Sequence, residues 1–152
     1  MKLIGLDIGD RRIGVAFGDS DLRLATPLGV IPRGSFDQDV LAVRRFVHDY
    51  DAAALVVGLP RNMDGSMGPQ SQATQAYAEQ IARALDVRLV LWDERLTTVE
   101  ATRKTEETGR ASSARPARRG KKSRRTLDAV AAAIILQDYL DVQANETGTD
   151  DA

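Results

Sequence analysis

Lys2-Leu3-Ile4-Gly5-Leu6-Asp7-Ile8-Gly9-Asp10-Arg11-Arg12-Ile13-Gly14-Val15-Ala16-Phe17 opens the chain as two apolar runs separated by turn-forming and charged residues. Lys2 to Ile8 reads as a short buried strand and Ile13 to Phe17 as a second, and the short gap between them favours a hairpin. Strand alternation puts Leu3, Gly5 and Asp7 on one face and Ile4, Leu6 and Ile8 on the other. Asp7 therefore interrupts an otherwise apolar strand. Aspartate is poor in strand interiors and an ionised carboxylate is costly to bury, so a nearby cation or proton accounts for it. A strand-end aspartate pointing to water accounts for it equally well when Asp7 is taken alone.

Outward from the hairpin, Leu24 to Ile31 reads as a third strand, with Pro27 suiting an edge rather than a central position. Asp37 to Tyr50 carries Val40, Leu41, Val43, Phe46 and Val47 at helical spacing, and Ala53 to Gly58 reads as a buried strand. Leu59 to Pro69 has the Gly and Pro punctuation of a loop, and Gln70 to Leu85 reads as a helix. Val87 to Trp92 is the next strand, with Asp93-Glu94-Arg95 at its carboxyl end. Thr97 to Glu107 is expected to be helical, followed by a basic mobile loop at about 109–125. Leu127 to Leu140 gives the clearest helical pattern, with Thr126 as N-cap. The acidic tail, 142–152, is expected to be disordered. The order implies one α/β domain over 1–141, with a mixed central sheet of about five strands and helices on both faces. Ligand sites in such sheets lie beyond the carboxyl ends of parallel strands, where Asp7 and Glu94 both fall.

The composition removes several chemistries. The 152 residues contain no cysteine and a single histidine, His48. Disulfides, thiolate catalysis and Cys- or His-based zinc sites are thereby disfavoured, and a metal must be held mainly by oxygen. No apolar run approaches the roughly 18 residues needed to cross a bilayer, so no membrane partner is expected and a cytoplasmic location is. The formal net charge of −1 hides an asymmetry: Arg103 to Arg125 holds ten Lys/Arg against two Asp/Glu, leaving −9 on the remainder. Such a run is either a solvated loop or a phosphate-binding arm.

Three carboxylates from distant parts of the chain are candidates for one site: Asp7 on the first strand, Glu94 after a later strand, and Asp128 near the start of the last helix. Each has an ordinary explanation by itself. Asp128 compensates a helix dipole if it lies in the first turn, a contribution of a few tenths to about 1 kcal/mol. Glu94 pairs with a surface cation, which contributes little. Together they form an all-oxygen donor set suited to Mg²⁺ or Mn²⁺. Two such ions about 4 Å apart hydrolyse phosphodiesters without cysteine or histidine, and two ions are expected here with substrate bound.

Asp7-Ile8-Gly9-Asp10-Arg11-Arg12-Ile13-Gly14-Val15-Ala16, Gly58-Leu59-Pro60-Arg61-Asn62-Met63-Asp64-Gly65-Ser66, Asp93-Glu94-Arg95-Leu96-Thr97-Thr98 and Asp128-Ala129-Val130-Ala131-Ala132 together resemble the YqgF/RuvX family. Four motifs in order are far more specific than any one of them. The resemblance implies an RNase H-like fold and a metal-dependent nuclease acting on structured RNA, in maturing the 5′ end of pre-16S rRNA, or on branched DNA as a Holliday junction resolvase-like enzyme. It also implies that Asp7, Glu94 and Asp128 are the metal ligands. Asp10 departs from the small hydroxyl residue expected there, which leaves its role open. Arg11, Arg12, Asn62 and Arg95 are candidates for contact with nucleic acid, as are Arg118, Arg119, Lys121, Lys122, Arg124 and Arg125 in the basic run. Gly9 and Gly14 permit close backbone approach or simply satisfy turn and strand geometry. A non-catalytic RNA- or DNA-binding module remains the alternative, as do both a monomer and a homodimer. An actin-like ATPase begins with a similar Asp-x-Gly hairpin, but needs two lobes where this chain has the length for one.

Overall fold

The computed structural model describes residues 1–62, 64–94 and 120–150, and among them the side chains of all but 120–126 and 146–150. The opening hairpin forms as read. Strand β1 (Lys2–Ile8) turns through Gly9–Arg11 into β2 (Arg12–Asp19), pairing antiparallel with Asp7 opposite Gly14. β3 (Leu24–Pro32) pairs antiparallel with β2 as an edge strand. Its register shifts where Pro27 lies opposite Ala16, and an edge bulge is where a residue without an N–H is tolerated.

After α1 (Phe36–Asp49), β4 (Ala54–Leu59) joins β1 in parallel, and after α2 (Pro69–Leu85), β5 (Arg88–Asp93) joins β4 in parallel. The sheet order is β3-β2-β1-β4-β5. β1, β4 and β5 thus all end at the same margin, carrying Asp7, the loop after Leu59, and Asp93-Glu94 to one place.

Alternation divides the core as the first strand predicts. Ile4, Leu6 and Ile8 face α1 and α2, packing with Val40, Val43 and Ile81. Leu3 faces the opposite way, together with Ala16, Ala54 and Val56, against Ala132, Ile135, Leu136 and Leu140 of the last helix, α3 (Gly120–Asp150). α1 begins with a capping box in which Ser35 Oγ accepts from Gln38 N and Gln38 Oε1 accepts from Ser35 N.

Helix α3 is longer than its apolar pattern. It starts at Gly120, so Thr126 lies inside it rather than capping it, and the end of the basic run is helical backbone where a loop was expected. It continues to Asp150, through most of the tail expected to be disordered. The chain breakers Gly109, Ser112, Ser113 and Pro116 all precede Gly120, and Lys and Arg are good helix formers. The expected helix from Thr97 to Glu107 lies outside the described residues.

A buried polar cluster ties α1 and α2 to the hairpin. The Asp39 side chain is 1% exposed, accepts from Gly34 N at 2.9 Å and from the Tyr77 hydroxyl, and has Arg33 Nε at 3.8 Å. The Arg33 guanidinium lies 4.5 Å from the Tyr77 ring centroid and donates from Nη1 to Gly9 O at 2.9 Å. Burial first, then the hydrogen bond to Asp39, pushes the Tyr77 phenol above its ordinary value.

On α3, burial and then repulsion from Asp141 push the Asp138 carboxyl above its ordinary value of 3.8. Because the folded state holds this proton more tightly than the unfolded state, Asp138 favours folding in acid. That contribution is lost as pH rises through the raised value, leaving a destabilising charge at neutrality. Asp138→Asn is therefore expected to raise the melting temperature at neutral pH, with the advantage fading as pH falls through the raised value and gone below about 4, the ordinary value. Thermal melts across that range check it, and an advantage independent of pH would contradict the assignment.

Candidate active site

Asp7, the penultimate residue of β1, is 7% exposed and faces α3. Its neighbours on both sides are glycines. Gly14 is its antiparallel partner on β2, and continuing the parallel register from Leu6 and Val57 puts Gly58 of β4 on its other side. Each glycine leaves a space that another element fills.

A Cβ on Gly14 would lie 1.9 Å from the backbone oxygen of Asp128 and 2.4 Å from its carbonyl carbon, so the α3 backbone rests directly on this strand. A Cβ on Gly58 would lie 2.6 Å from Ile135 Cδ1 and 2.9 Å from Glu94 Oε1. Glu94 follows β5 by one residue, shares the α3 face with Val90 and Trp92, and is itself 7% exposed. The missing side chains thus bring Asp128 from one direction and Glu94 from the other toward Asp7.

Asp128 is the ninth residue of α3, well beyond the first turn in which a carboxylate offsets the helix dipole. Its partner is instead Arg12, the first residue of β2, whose Nε donates to Oδ2 at 2.6 Å. The pair is partly open, with side-chain exposures of 33% and 23%. Among the described residues, no three His, Cys, Asp or Glu side chains are gathered closely enough to hold an ion as they stand. The chemistry of the donors nonetheless suits a small hard cation, since two buried carboxylates and a third at the rim are all oxygen.

The other candidates surround this margin. Arg11 and Asp10 are exposed on the hairpin turn. Asn62 is exposed in the loop after β4, where Nδ2 donates to Ser66 Oγ at 3.0 Å and Ser66 Oγ donates to Asp64 at 2.6 Å. Arg61, which the sequence did not single out, has Nε 3.9 Å from Asp93 and so links that loop to the end of β5. Lys121, Lys122, Arg124 and Arg125 lie on the first turns of the α3 backbone. Arg95, Arg118 and Arg119 lie outside the described residues. Gly58 and the Arg12–Asp128 pair were not anticipated. Glycine within the Gly58 motif was a visible signal for the first, whereas nothing local could reveal a pair 116 residues apart.

The sheet order, the helices on both faces and the carboxylates at the shared strand margin define an α/β protein of the RNase H-like class. The chain belongs to the RuvX family, described as "RuvX: Holliday junction resolvase", which matches residues 1–142. A protein of Thermoanaerobacter pseudethanolicus named "Putative pre-16S rRNA nuclease" is 40% identical over 146 residues, covering 96% of this chain and all of the relative. A protein of the same name from Caldanaerobacter subterraneus is 43% identical over 145 residues, covering 95% and 99%. Among solved structures, Thermus thermophilus RuvC in complex with a Holliday junction substrate matches with a TM-score of 0.58 at 13% identity, covering 95% of this chain and 96% of that one. The yeast mitochondrial Holliday junction resolvase Ydc2 matches with a TM-score of 0.54 at 12% identity, covering 93% and 78%. At these identities the structural likeness establishes the fold.

The two glycines beside Asp7 differ in what an added methyl would meet. At Gly14 it meets backbone, whereas at Gly58 it meets the ends of flexible side chains. Gly14→Ala is expected to destabilise by about 1–3 kcal/mol or more, and Gly58→Ala by clearly less. Urea unfolding of both variants tests the difference, and equal losses would mean that α3 does not rest on Gly14.

Proposed function

We propose that this protein is a divalent-metal-dependent nuclease that hydrolyses phosphodiester bonds in 5′-end maturation of pre-16S rRNA, working in the cytoplasm. The observation that carries the proposal is the arrangement of Asp7, Glu94 and Asp128 around two glycines at the carboxyl margin of β1, β4 and β5. The names of the relatives at 40–43% identity support the RNA substrate. A bound Mg²⁺ or Mn²⁺ supplies activation of water and stabilisation of the leaving oxygen.

Asp7, Glu94 and Asp128 are the metal-holding and catalytic residues of this proposal. The two glycines let the Asp128 backbone and the Glu94 side chain approach the strands beside Asp7, and the packing beneath Asp7 and Glu94 limits water around them. Arg11, Arg12, Asn62 and Arg95 contact the substrate at the margin, while Arg118, Arg119, Lys121, Lys122, Arg124 and Arg125 meet its phosphates. Hydrolysis of branched DNA is the second reading, favoured by the fold shared with the junction-bound RuvC. Among the described residues no helix is long and apolar enough to cross a membrane.

Asp7→Asn, Glu94→Gln and Asp128→Asn are each expected to lower hydrolysis at least about a hundredfold, on the scale of losing one group that stabilises charge in the transition state. Circular dichroism should stay unchanged. Assays on labelled precursor rRNA, single-stranded RNA and four-way DNA junctions, with Mg²⁺, Mn²⁺ or Ca²⁺, check this and rank the substrates. Ca²⁺, with its looser shell, should support binding better than turnover. Undiminished cleavage by the variants would remove these residues from the mechanism, and binding without any turnover would leave only a nucleic-acid-binding module.

The basic run makes a separate prediction. If Arg118, Arg119, Lys121 and Lys122 each contact a phosphate, replacing all four with Ala should flatten the slope of log K against log salt by roughly 3 to 4 units, and less on single strands. Sequence preference should change little. Salt titrations of nucleic-acid binding decide it, and identical slopes would mark the run as a solvated segment.

A further inference from the structure

The backbone around Arg12 is tied down by the hairpin turn and by Arg33. Gly9 N donates to Arg12 O at 2.8 Å to close the turn, Arg33 Nη1 donates to Gly9 O, and Arg33 N donates to Arg11 O at 2.9 Å. Arg33 is anchored in turn by Asp39, which is 1% exposed. Arg12 also shares a strand face with Gly14, over which the Asp128 backbone lies. Backbone is therefore fixed at both ends of the Arg12–Asp128 contact, and only the two side chains are free to rearrange.

We propose that Arg12 is an exchangeable counter-ion for Asp128: it holds this carboxylate in the metal-free protein, yields it to the incoming divalent cation, and turns its freed guanidinium to a substrate phosphate. The proposal rests on the metal-dependent reading of the site. Exposure separates this pair from the Arg33–Asp39 pair. With exposures of 33% and 23%, Arg12 and Asp128 part without stranding a charge out of water. Separating Arg33 from Asp39 strands a carboxylate that is 1% exposed. Partly exposed pairs are weak, whereas a divalent ion is the largest local charge wherever it binds. The exchange is favoured in the direction of metal, and it keeps a positive charge beside the site after the metal has entered. Arg12 thus acts through Asp128 as a positioning residue before it contacts substrate.

Mn²⁺ binding to the full chain without nucleic acid, followed by electron paramagnetic resonance of the free ion, tests this apart from activity. Arg12→Gln is expected to bind Mn²⁺ roughly two- to fivefold tighter than wild type, the scale of a partly exposed ion pair. Arg12→Lys should return affinity to near the wild-type value, and Arg12→Gln should have no effect in an Asp128→Asn background. In wild-type protein, the Arg12 Nε–H resonance should shift as Mg²⁺ is added, a measurement that needs no variant to fold. If Asp128→Asn weakens Mn²⁺ binding but Arg12→Gln leaves it unchanged or weaker, or if the Arg12 resonance stays fixed at saturating Mg²⁺, the exchange is overturned and the metal reading survives. If wild type binds no Mn²⁺, or Asp128→Asn binds it as wild type does, both fail together.

Discussion

Direct contact between helix α3 and the strand backbones beneath it governs the placement of everything at the site. Gly5, Gly14, Gly18 and Gly58 all present their bare faces to this helix or to what lies beside it, and a methyl added at any of them would meet another atom at 3.0 Å or less. The helix answers with Ala129, Ala131, Ala132 and Ala133, all buried. Small residues on both surfaces allow the axis to come close, while Ile135, Leu136 and Leu140 supply the larger apolar area. The consequence is chemical as well as mechanical. A helix held off by ordinary side chains would carry Asp128 several ångströms further from Asp7.

That approach brings carboxylates under a roof, and buried carboxylates need compensation. Asp39 illustrates one solution: a backbone N–H, a phenol and a guanidinium surround it, so its burial is satisfied within the fold. The margin of β1, β4 and β5 carries more than one acidic residue. Asp7 and Glu94 are buried to a similar degree on either side of Gly58, and a third carboxylate lies at the rim with an arginine that solvent still reaches. Concentrating acidic groups is unfavourable for folding alone and useful for binding a cation.

Local chemistry made much of this legible. Alternation in β1 assigned its two faces, and Pro27 marked β3 as an edge, because both signals depend on neighbours within a few residues. The ends of α3 were misjudged for the same reason: apolar periodicity reports which turns are packed, and the helical turns before Leu127 and after Leu140 have little apolar character to report. The Arg12–Asp128 pair and the Asp39–Arg33–Tyr77 cluster were invisible because each joins residues whose proximity exists only after the sheet has formed. Gly58 falls between these cases. Its identity was plain, but whether a strand glycine is a weakness or a deliberate gap depends on what stands over it.

Charge distribution sets the remaining constraint on a protein that must meet a polyanion. Outside Arg103 to Arg125 the chain carries −9, part of it concentrated at the margin where phosphate has to arrive. In the proposed mechanism approach is opposed by the same carboxylates that would hold the metal, and two kinds of positive charge would offset it. Cations bound there would act at short range and only where the carboxylates held them. The field of the +8 segment reaches about a Debye length, roughly 8–10 Å at moderate salt, the range over which the proposed phosphate contacts would gather a strand before it is positioned. Arg12 stands between the two ranges, close enough to touch a site carboxylate and exposed enough to turn outward. On the proposed function, an acidic body with a basic segment is a division of labour. The sign that suits capture and the sign that suits catalysis are opposite, and the chain keeps them in separate stretches of sequence.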